Sequence, residues 1–361
     1  MYPKQMVDSE KVRLWTDMRD ELRISTISRR EELREKVVRI DEWEMRYLER
    51  RFGSAVEGER SLWISMHGGG GCPAETNDAQ WQNQIQLYAP EEGIVVAPRA
   101  PTDNWNLWHE SHIDDLFDRL ILNFVMEEGV NPDRVYLLGY SAGGDGVYQI
   151  APRMADRFAA AAMMAGHPND ASPLGLRNLP FFIFMGGDDA AYDRNKVAAE
   201  WGEKLAQLRD NDPGGYLHKV TIYEGLGHWM NRKDAEAIPL MAQYKRDAWP
   251  NKLVWRQNSR LHHQFYWLAM PEGCAAEGQT VWAEAEGQRI EVRTEGLVEL
   301  VLRLSDELVD LDQPVEVVVN GETKFEGLVP RDFNVVRQVY GVESRSLDPR
   351  LIATAELCVD C

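Results

Sequence analysis

The sequence predicts an α/β fold, a mostly parallel sheet flanked by helices. A helical extension at residues 1–57 precedes it, and a small, sandwich-like all-β domain at 253–361 follows. Three observations carry this. Short apolar runs alternate with helical patterns between residues 58 and 252, as in a sheet wrapped by helices. Before them lies a stretch dense in both charge signs with apolar residues at helical spacing. After them come period-2 runs separated by tight turns.

In the first segment Leu14, Met18 and Leu22, then Leu33, Val37, Ile40, Trp43 and Tyr47 recur at helical spacing, which predicts two helices broken near residues 25–28. Alternating charge of this kind marks a solvated helix face; a dimerisation arm or a flap over a site is the alternative. In the middle segment the strands are expected at Leu62 to Met66, Gly93 to Ala97, Val135 to Leu138, Ala159 to Met164, Phe181 to Met185 and Val220 to Tyr223. Helices are expected at Asp78 to Tyr88, Ile113 to Glu128, Gly143 to Ala151, Lys196 to Arg209 and Asp234 to Ala248. In the last segment, Asn320-Gly321 between Pro314 to Val319 and Glu322 to Phe325 signals a two-residue hairpin. A second, weaker signal centres on Gly287 between Thr280 to Glu286 and Gln288 to Arg293.

Composition narrows the function classes. With 361 residues, 44% of them apolar, the chain can bury a sizeable core, and no uncharged apolar run approaches the roughly 20 residues of a membrane span. Its 59 acidic residues against 40 Lys and Arg give a charge of −19, a field that repels a phosphate backbone. A soluble protein with no nucleic-acid or membrane partner is expected. The opening MYPKQMVDSEKVRLW shows no export signal, so a cytoplasmic location is expected, or a secreted one if the chain is a processed form. Cys72, Cys274, Cys358 and Cys361 are too few and scattered for a disulfide framework and are expected as free thiols. The C-x-x-C of Cys358 and Cys361 has no second pair to complete a zinc site.

The sharpest chemical signal is Gly139-Tyr140-Ser141-Ala142-Gly143, a G-x-S-x-G between the apolar run VYLLG and a helical stretch. Such a turn holds a serine hydroxyl exposed above the sheet. A serine needs a base, and His228 in Gly225-Leu226-Gly227-His228-Trp229, a flexible loop after the last strand of the sheet, is the best placed of the eight histidines. The orienting acid is sought at the end of the preceding strand, in FFIFMGGDDAAYD. Asp189 leads, Asp188 competes with it, and Asp193 is third. Oxyanion donors are expected from the glycine run His67-Gly68-Gly69-Gly70-Gly71, with Gly69 as one and the N–H of Ala142, the residue after the serine, as the other. His67 reads as structural. Asp145 reads as a helix-dipole or capping partner.

HGGGG, GYSAGG, GGDD and GLGHW, in this order, resemble the α/β-hydrolase superfamily of serine esterases and peptidases. Within it the pattern is similar to the polyhydroxybutyrate-depolymerase-like and feruloyl-esterase-like carboxylesterases, over residues 58 to 250. The resemblance implies the α/β-hydrolase fold, Ser141 as nucleophile with Asp189 and His228 as its partners, and Gly69 with Ala142 as oxyanion donors. The extra N-terminal and C-terminal segments depart from the minimal family fold, so substrate does not carry over.

Few residues separate the strands ending near Met164 and beginning near Phe181, too few for an inserted cap domain, so an open site is expected. Tyr140, Trp105, Trp108, His167 and Trp229 fall at strand ends or loops on the catalytic edge. They are expected as substrate-binding residues for a bulky acyl, aryl or sugar group, with loop packing as the alternative. The expected function is cleavage of carboxylic esters, small or oligomeric, through an acyl-enzyme, without metal or cofactor. A prolyl-oligopeptidase-like peptidase is the runner-up. The β domain is expected to pack on the hydrolase, to dimerise, or to bind a glycan or protein as an accessory module, and a homodimer through it or the N-terminal helices is possible.

Overall fold

The computed structural model describes residues 2–25, 27–56, 58–339 and 353–361, and the expected helix break near 25–28 includes position 26, outside them. The chain forms two compact units, residues 28–247 and residues 1–27 with 248–361. Among the described residues no helix is long and apolar enough to cross a membrane.

Two helices open the chain, α1 (Lys4–Ser25) and α2 (Ile27–Glu35). The helical reading of the following residues is corrected: β1 (Val37–Ile40) and β2 (Trp43–Phe52) form an antiparallel hairpin. Trp43, Met45 and Tyr47 satisfy a period of 2 as well as Val37, Ile40, Trp43 and Tyr47 satisfy a helical one. Here β-branched and aromatic side chains, the left-handed turn at Asp41 and pairing of β2 with a sheet edge decide for the strand.

The larger unit continues with β3 (Arg60–Met66), α3 (Ala74–Gln84), β4 (Gly93–Pro98), α4 (Ser111–Glu128), β5 (Val130–Tyr140), α5 (Ala142–Arg153), β6 (Ala160–Met164), β7 (Phe181–Gly186), α6 (Arg194–Asn211), β8 (His218–Tyr223) and α7 (Ala237–Met241). Its eight-stranded sheet runs in the order β1-β2-β4-β3-β5-β6-β7-β8, parallel from β4 to β8, with β2 antiparallel to β4. The strands from β3 to β7 are buried almost throughout, which is why they read as continuous apolar runs. The helix expected at Asp234 to Ala248 shrinks to a 3-10 turn and α7. Beyond Met241 the Tyr244 carbonyl accepts the Tyr136 hydroxyl at 2.9 Å and Arg246 pairs with Asp133 at 2.7 Å, so tertiary bonds replace helical ones.

Every residue of helix α5 except Asp145 is buried. Gly143 permits this, because a Cβ there would collide with the Met66 carbonyl. At its far end Arg153 makes a buried ion pair with Asp114 of α4, which fixes the helix against its neighbour. No domain is inserted between β6 and β7, where one 3-10 turn spans Pro173–Asn178.

The smaller unit holds α1 and β9 (Lys252–Arg256), β10 (Gln264–Phe265), β11 (Leu268–Ala269), β12 (Thr280–Glu286), β13 (Arg289–Glu295), β14 (Glu299–Leu304), β15 (Val315–Val319), β16 (Glu322–Gly327), α8 (Phe333–Val339) and β17 (Ala355–Asp360). They build a five-stranded sheet, β16-β15-β13-β12-β9, and a four-stranded one, β10-β11-β14-β17. The pairs β15/β16 and β12/β13 are the two hairpins signalled in the sequence. All four cysteines are free.

Candidate active site

Four segments converge at the C-terminal ends of the parallel strands, where open α/β sheets carry their ligands. The first is the turn from β5 to α5. Ser141 sits between them with φ 59° and ψ −121°, a conformation a residue with a Cβ adopts only under constraint. Its N–H donates to Met164 O at 2.9 Å, and its carbonyl accepts Asp145 N–H at 2.9 Å, so both sides of the turn are fixed.

The second segment is the loop after β8. His228 Nε2 lies 2.9 Å from Ser141 Oγ, and His228 Nδ1 lies 2.7 Å from Asp189 Oδ2. Asp189, in the third segment after β7, is buried, with Arg194 Nη1 3.6 Å from its other oxygen. Asp188 is exposed beside it, and Asp193 is exposed and paired with Lys196 at 2.7 Å. The chain of contacts therefore runs through Asp189 and not through its competitors. With Nδ1–H donated to a carboxylate, Nε2 is left to accept the serine proton.

The His228 loop is held by Tyr140. The Tyr140 hydroxyl donates to His228 O at 2.6 Å and accepts Met230 N–H at 3.0 Å. Tyr140, expected as a substrate contact, is only 7% exposed; it borders the cleft, but its polar atom is engaged by the backbone. Its phenol is pushed above its ordinary pKa by burial, so it stays a neutral donor. A second buried pair, Tyr88 with Asp234 at 2.6 Å, lies in the same region, and burial raises the Asp234 carboxyl above its usual range.

The fourth segment is the glycine run after β3. His67 is fully buried, and burial pulls its pKa down to about 4, so the ring is neutral. Its Nε2 accepts Ala100 N–H at 3.2 Å, which leaves Nδ1–H to donate to Gly68 O at 2.6 Å. Gly70 N–H donates to Asn77 Oδ1 at 2.8 Å and Gly71 N–H to Asp103 O at 2.9 Å. Gly69 N–H, immediately before them in the chain, donates to no protein acceptor among the described residues. Gly69 has φ 106°, and a Cβ there would run into Asn77 Oδ1, so no other residue fits. Ala142 is the first residue of α5, where an N–H has no intrahelical acceptor. Both residues line a cavity with Ser141.

Asn77 and Asp103 were not legible as site residues. Asn77 Nδ2 donates to Asp103 Oδ1 at 2.7 Å, and Arg99 holds the same carboxylate. Burial works to raise the Asp103 pKa, but hydrogen bonds from Arg99 and Asn77 outweigh it and hold the group below the ordinary carboxylate value. An asparagine within a polar helix carries no sequence signal of this task.

Two cavities meet at Ser141. One, of about 570 Å³, is bordered by His228, Tyr140 and Trp229; the other, of about 620 Å³, by Ala142, Trp105, His167 and Arg194. Trp105 is 64% exposed and Trp229 48%, so both are accessible from the cleft. Trp108 is the correction. It is fully buried, with its indole N–H donating to His67 O at 2.9 Å and its ring packed near Phe117. Trp105 and Trp108 share one turn but face opposite ways, and only the outer one reaches the cleft. His167 N–H donates to Asp145 Oδ1 at 2.6 Å, and burial pushes the Asp145 pKa up to about 6. Among the described residues no group of His, Cys, Asp or Glu side chains could hold a metal ion.

The chain matches the model of the dienelactone hydrolase family over residues 87–259, just under half of its length. The mostly parallel sheet flanked by helices is the α/β-hydrolase fold, and the family match is consistent with it. No curated protein matches the sequence. Among solved structures it is similar to a thermostable esterase, with 19% identity, a TM-score of 0.45, and 58% of this chain covered against 63% of the esterase's own length. It is also similar to esterase 2 of Thermogutta terrifontis, with 17% identity, a TM-score of 0.40 and coverage of 56% and 88%. A poly(3-hydroxybutyrate) depolymerase from Bordetella parapertussis gives 18% identity, a TM-score of 0.41 and coverage of 56% and 82%.

Proposed function

We propose that the protein hydrolyses carboxylic esters through an acyl-enzyme on Ser141. The observation that carries this reading is the contact chain Ser141 Oγ, His228 Nε2, His228 Nδ1, Asp189 Oδ2, with links of 2.9 and 2.7 Å on a serine held in a strained strand-to-helix turn. The names of the family and of the similar esterases agree with it.

In this mechanism His228 takes the Ser141 proton as Oγ attacks the ester carbonyl. The negative charge that develops on the carbonyl oxygen is met by the N–H groups of Gly69 and Ala142. On collapse the bond to the alcohol breaks, and His228 Nε2–H returns the proton to the leaving oxygen. Water then repeats the sequence on the acyl-enzyme, with His228 as base. Asp189 holds the imidazole in the tautomer that presents Nε2 and stabilises its charged form.

Steady-state turnover of p-nitrophenyl acetate and butyrate by the wild type, Ser141→Ala and His228→Ala tests the reading. Each substitution is expected to lower kcat by at least about 10³-fold in a folded protein. Ester turnover retained by folded Ser141→Ala would overturn the mechanism. Turnover of aminoacyl-p-nitroanilides in place of esters would move the activity to a peptidase.

A further inference from the structure

The two cavities at Ser141 are not equivalent, and their difference names the alcohol half of the substrate. This step rests on the ester-hydrolase reading above. The leaving oxygen must come within hydrogen-bond reach of His228 Nε2, because that nitrogen returns the proton when the bond to the alcohol breaks. His228 borders the cavity of about 570 Å³ and not the other one. The alcohol therefore occupies the His228 side, and the acyl group is left the cavity bordered by Ala142.

The chemistry of the alcohol side is specific. Thr76, Gln80 and Asn83 of α3 stand four and three residues apart, on one helix face, and Gln86 continues the row just after the helix. All four are exposed, and their side chains make no hydrogen bond to the protein among the described residues. In a chain with 59 acidic residues, no carboxylate among the described residues lines this cavity, and Arg232 is the one Lys or Arg among them that does. The exposed ring of Trp229 lines the same cavity.

A carboxamide both donates and accepts, which matches a hydroxyl, itself donor and acceptor. Several of them around an aromatic face suit a compact neutral molecule with many hydroxyls and one C–H face. A long alkyl alcohol would leave this row of amides desolvated and unpaired, and a cationic alcohol would meet Arg232 and no acid. We propose that the alcohol released by this enzyme is a sugar or similar polyol, recognised by Gln80, Asn83 and Trp229, so that the substrate is an acylated carbohydrate.

The test holds the acyl group constant and varies the alcohol. For the wild type, kcat/KM is measured on a monoacetylated methyl glucoside, on ethyl acetate and on p-nitrophenyl acetate, and the sugar-to-ethyl ratio is followed in Gln80→Ala/Asn83→Ala and in Trp229→Ala. The wild type is expected to prefer the sugar ester over ethyl acetate, and that ratio is expected to fall by about 3- to 10-fold for each hydrogen bond removed. A wild type that favours ethyl acetate, or a ratio that survives both substitutions, overturns the carbohydrate assignment while leaving the esterase standing. Absence of p-nitrophenyl acetate turnover in the wild type overturns the esterase reading, and the assignment with it.

Discussion

The hydroxyl of Tyr140 lies 2.6 Å from the carbonyl oxygen of His228, and the same hydroxyl receives the Met230 N–H at 3.0 Å. The residue immediately before Ser141 therefore holds the loop that carries His228, and strand β5 aligns both partners of the proposed proton transfer. Removing that hydroxyl takes a partner from the His228 carbonyl and from the buried Met230 N–H without touching the serine or the imidazole. Tyr140→Phe is expected to lower kcat by about 10- to 100-fold with KM changed far less, because the reacting atoms lose alignment and not affinity. Steady-state kinetics beside a thermal melt check this; an unchanged kcat would show that the loop holds its position by other contacts.

Asp189 and Asp188 give a contrast one residue apart. Asp189 is buried against His228, whereas Asp188 is exposed. Asp189→Asn is expected to cost kcat about 10⁴-fold, since an amide no longer selects the right tautomer or stabilises the charged ring, and Asp188→Asn is expected to stay near wild type. The two variants assayed together decide which carboxylate serves the histidine.

The glycine loop depends on Asn77, whose amide accepts Gly70 N–H and donates to Asp103. Asn77→Ala frees the loop beside Gly69. A kcat loss of about 10²-fold is expected, the scale of a lost oxyanion donor, together with a destabilisation of about 1 kcal/mol from the partly buried groups left without this partner. A variant that loses stability while keeping kcat would show that Gly69 has no part in the reaction.

Two buried groups set opposite pH dependences of stability. His67 is held at about 4, below its unfolded value, so it supports the fold above pH 6.5 and withdraws that support as pH falls towards 4, by roughly 3 kcal/mol at most. Asp145 is raised to about 6, so its ionised form weakens the fold at neutral pH, and stability is regained as pH falls from 6 towards 4. In the wild type the two act in opposite directions. Asp145→Asn removes the compensating half, and its melting temperature is expected to drop more steeply between pH 6.5 and 4 than that of the wild type. Parallel curves would contradict the opposition.

Much of this was legible in the sequence because local signals and tertiary context agree there. Ser141 is marked by glycines that its turn requires, and buried strands such as β7 read as apolar runs. What escaped was set by partners remote in the chain. Residues 37–52 fit two periodicities, and only pairing of β2 with β4 selects the strand. Trp105 and Trp108 look alike in sequence, yet one meets His67 O in the core and the other stays outside. Asn77, Asp103 and the Tyr140 hydroxyl act through backbone groups that no residue pattern displays.

The most direct measurement is covalent. The wild type is treated with a fluorophosphonate, digested and mapped by mass spectrometry, with His228→Ala treated in parallel. A single adduct on Ser141, formed at least about 10³-fold more slowly when the base is absent, is the expected result. An adduct on another residue, or none on a folded protein, would contradict the assignment of Ser141 as the nucleophile.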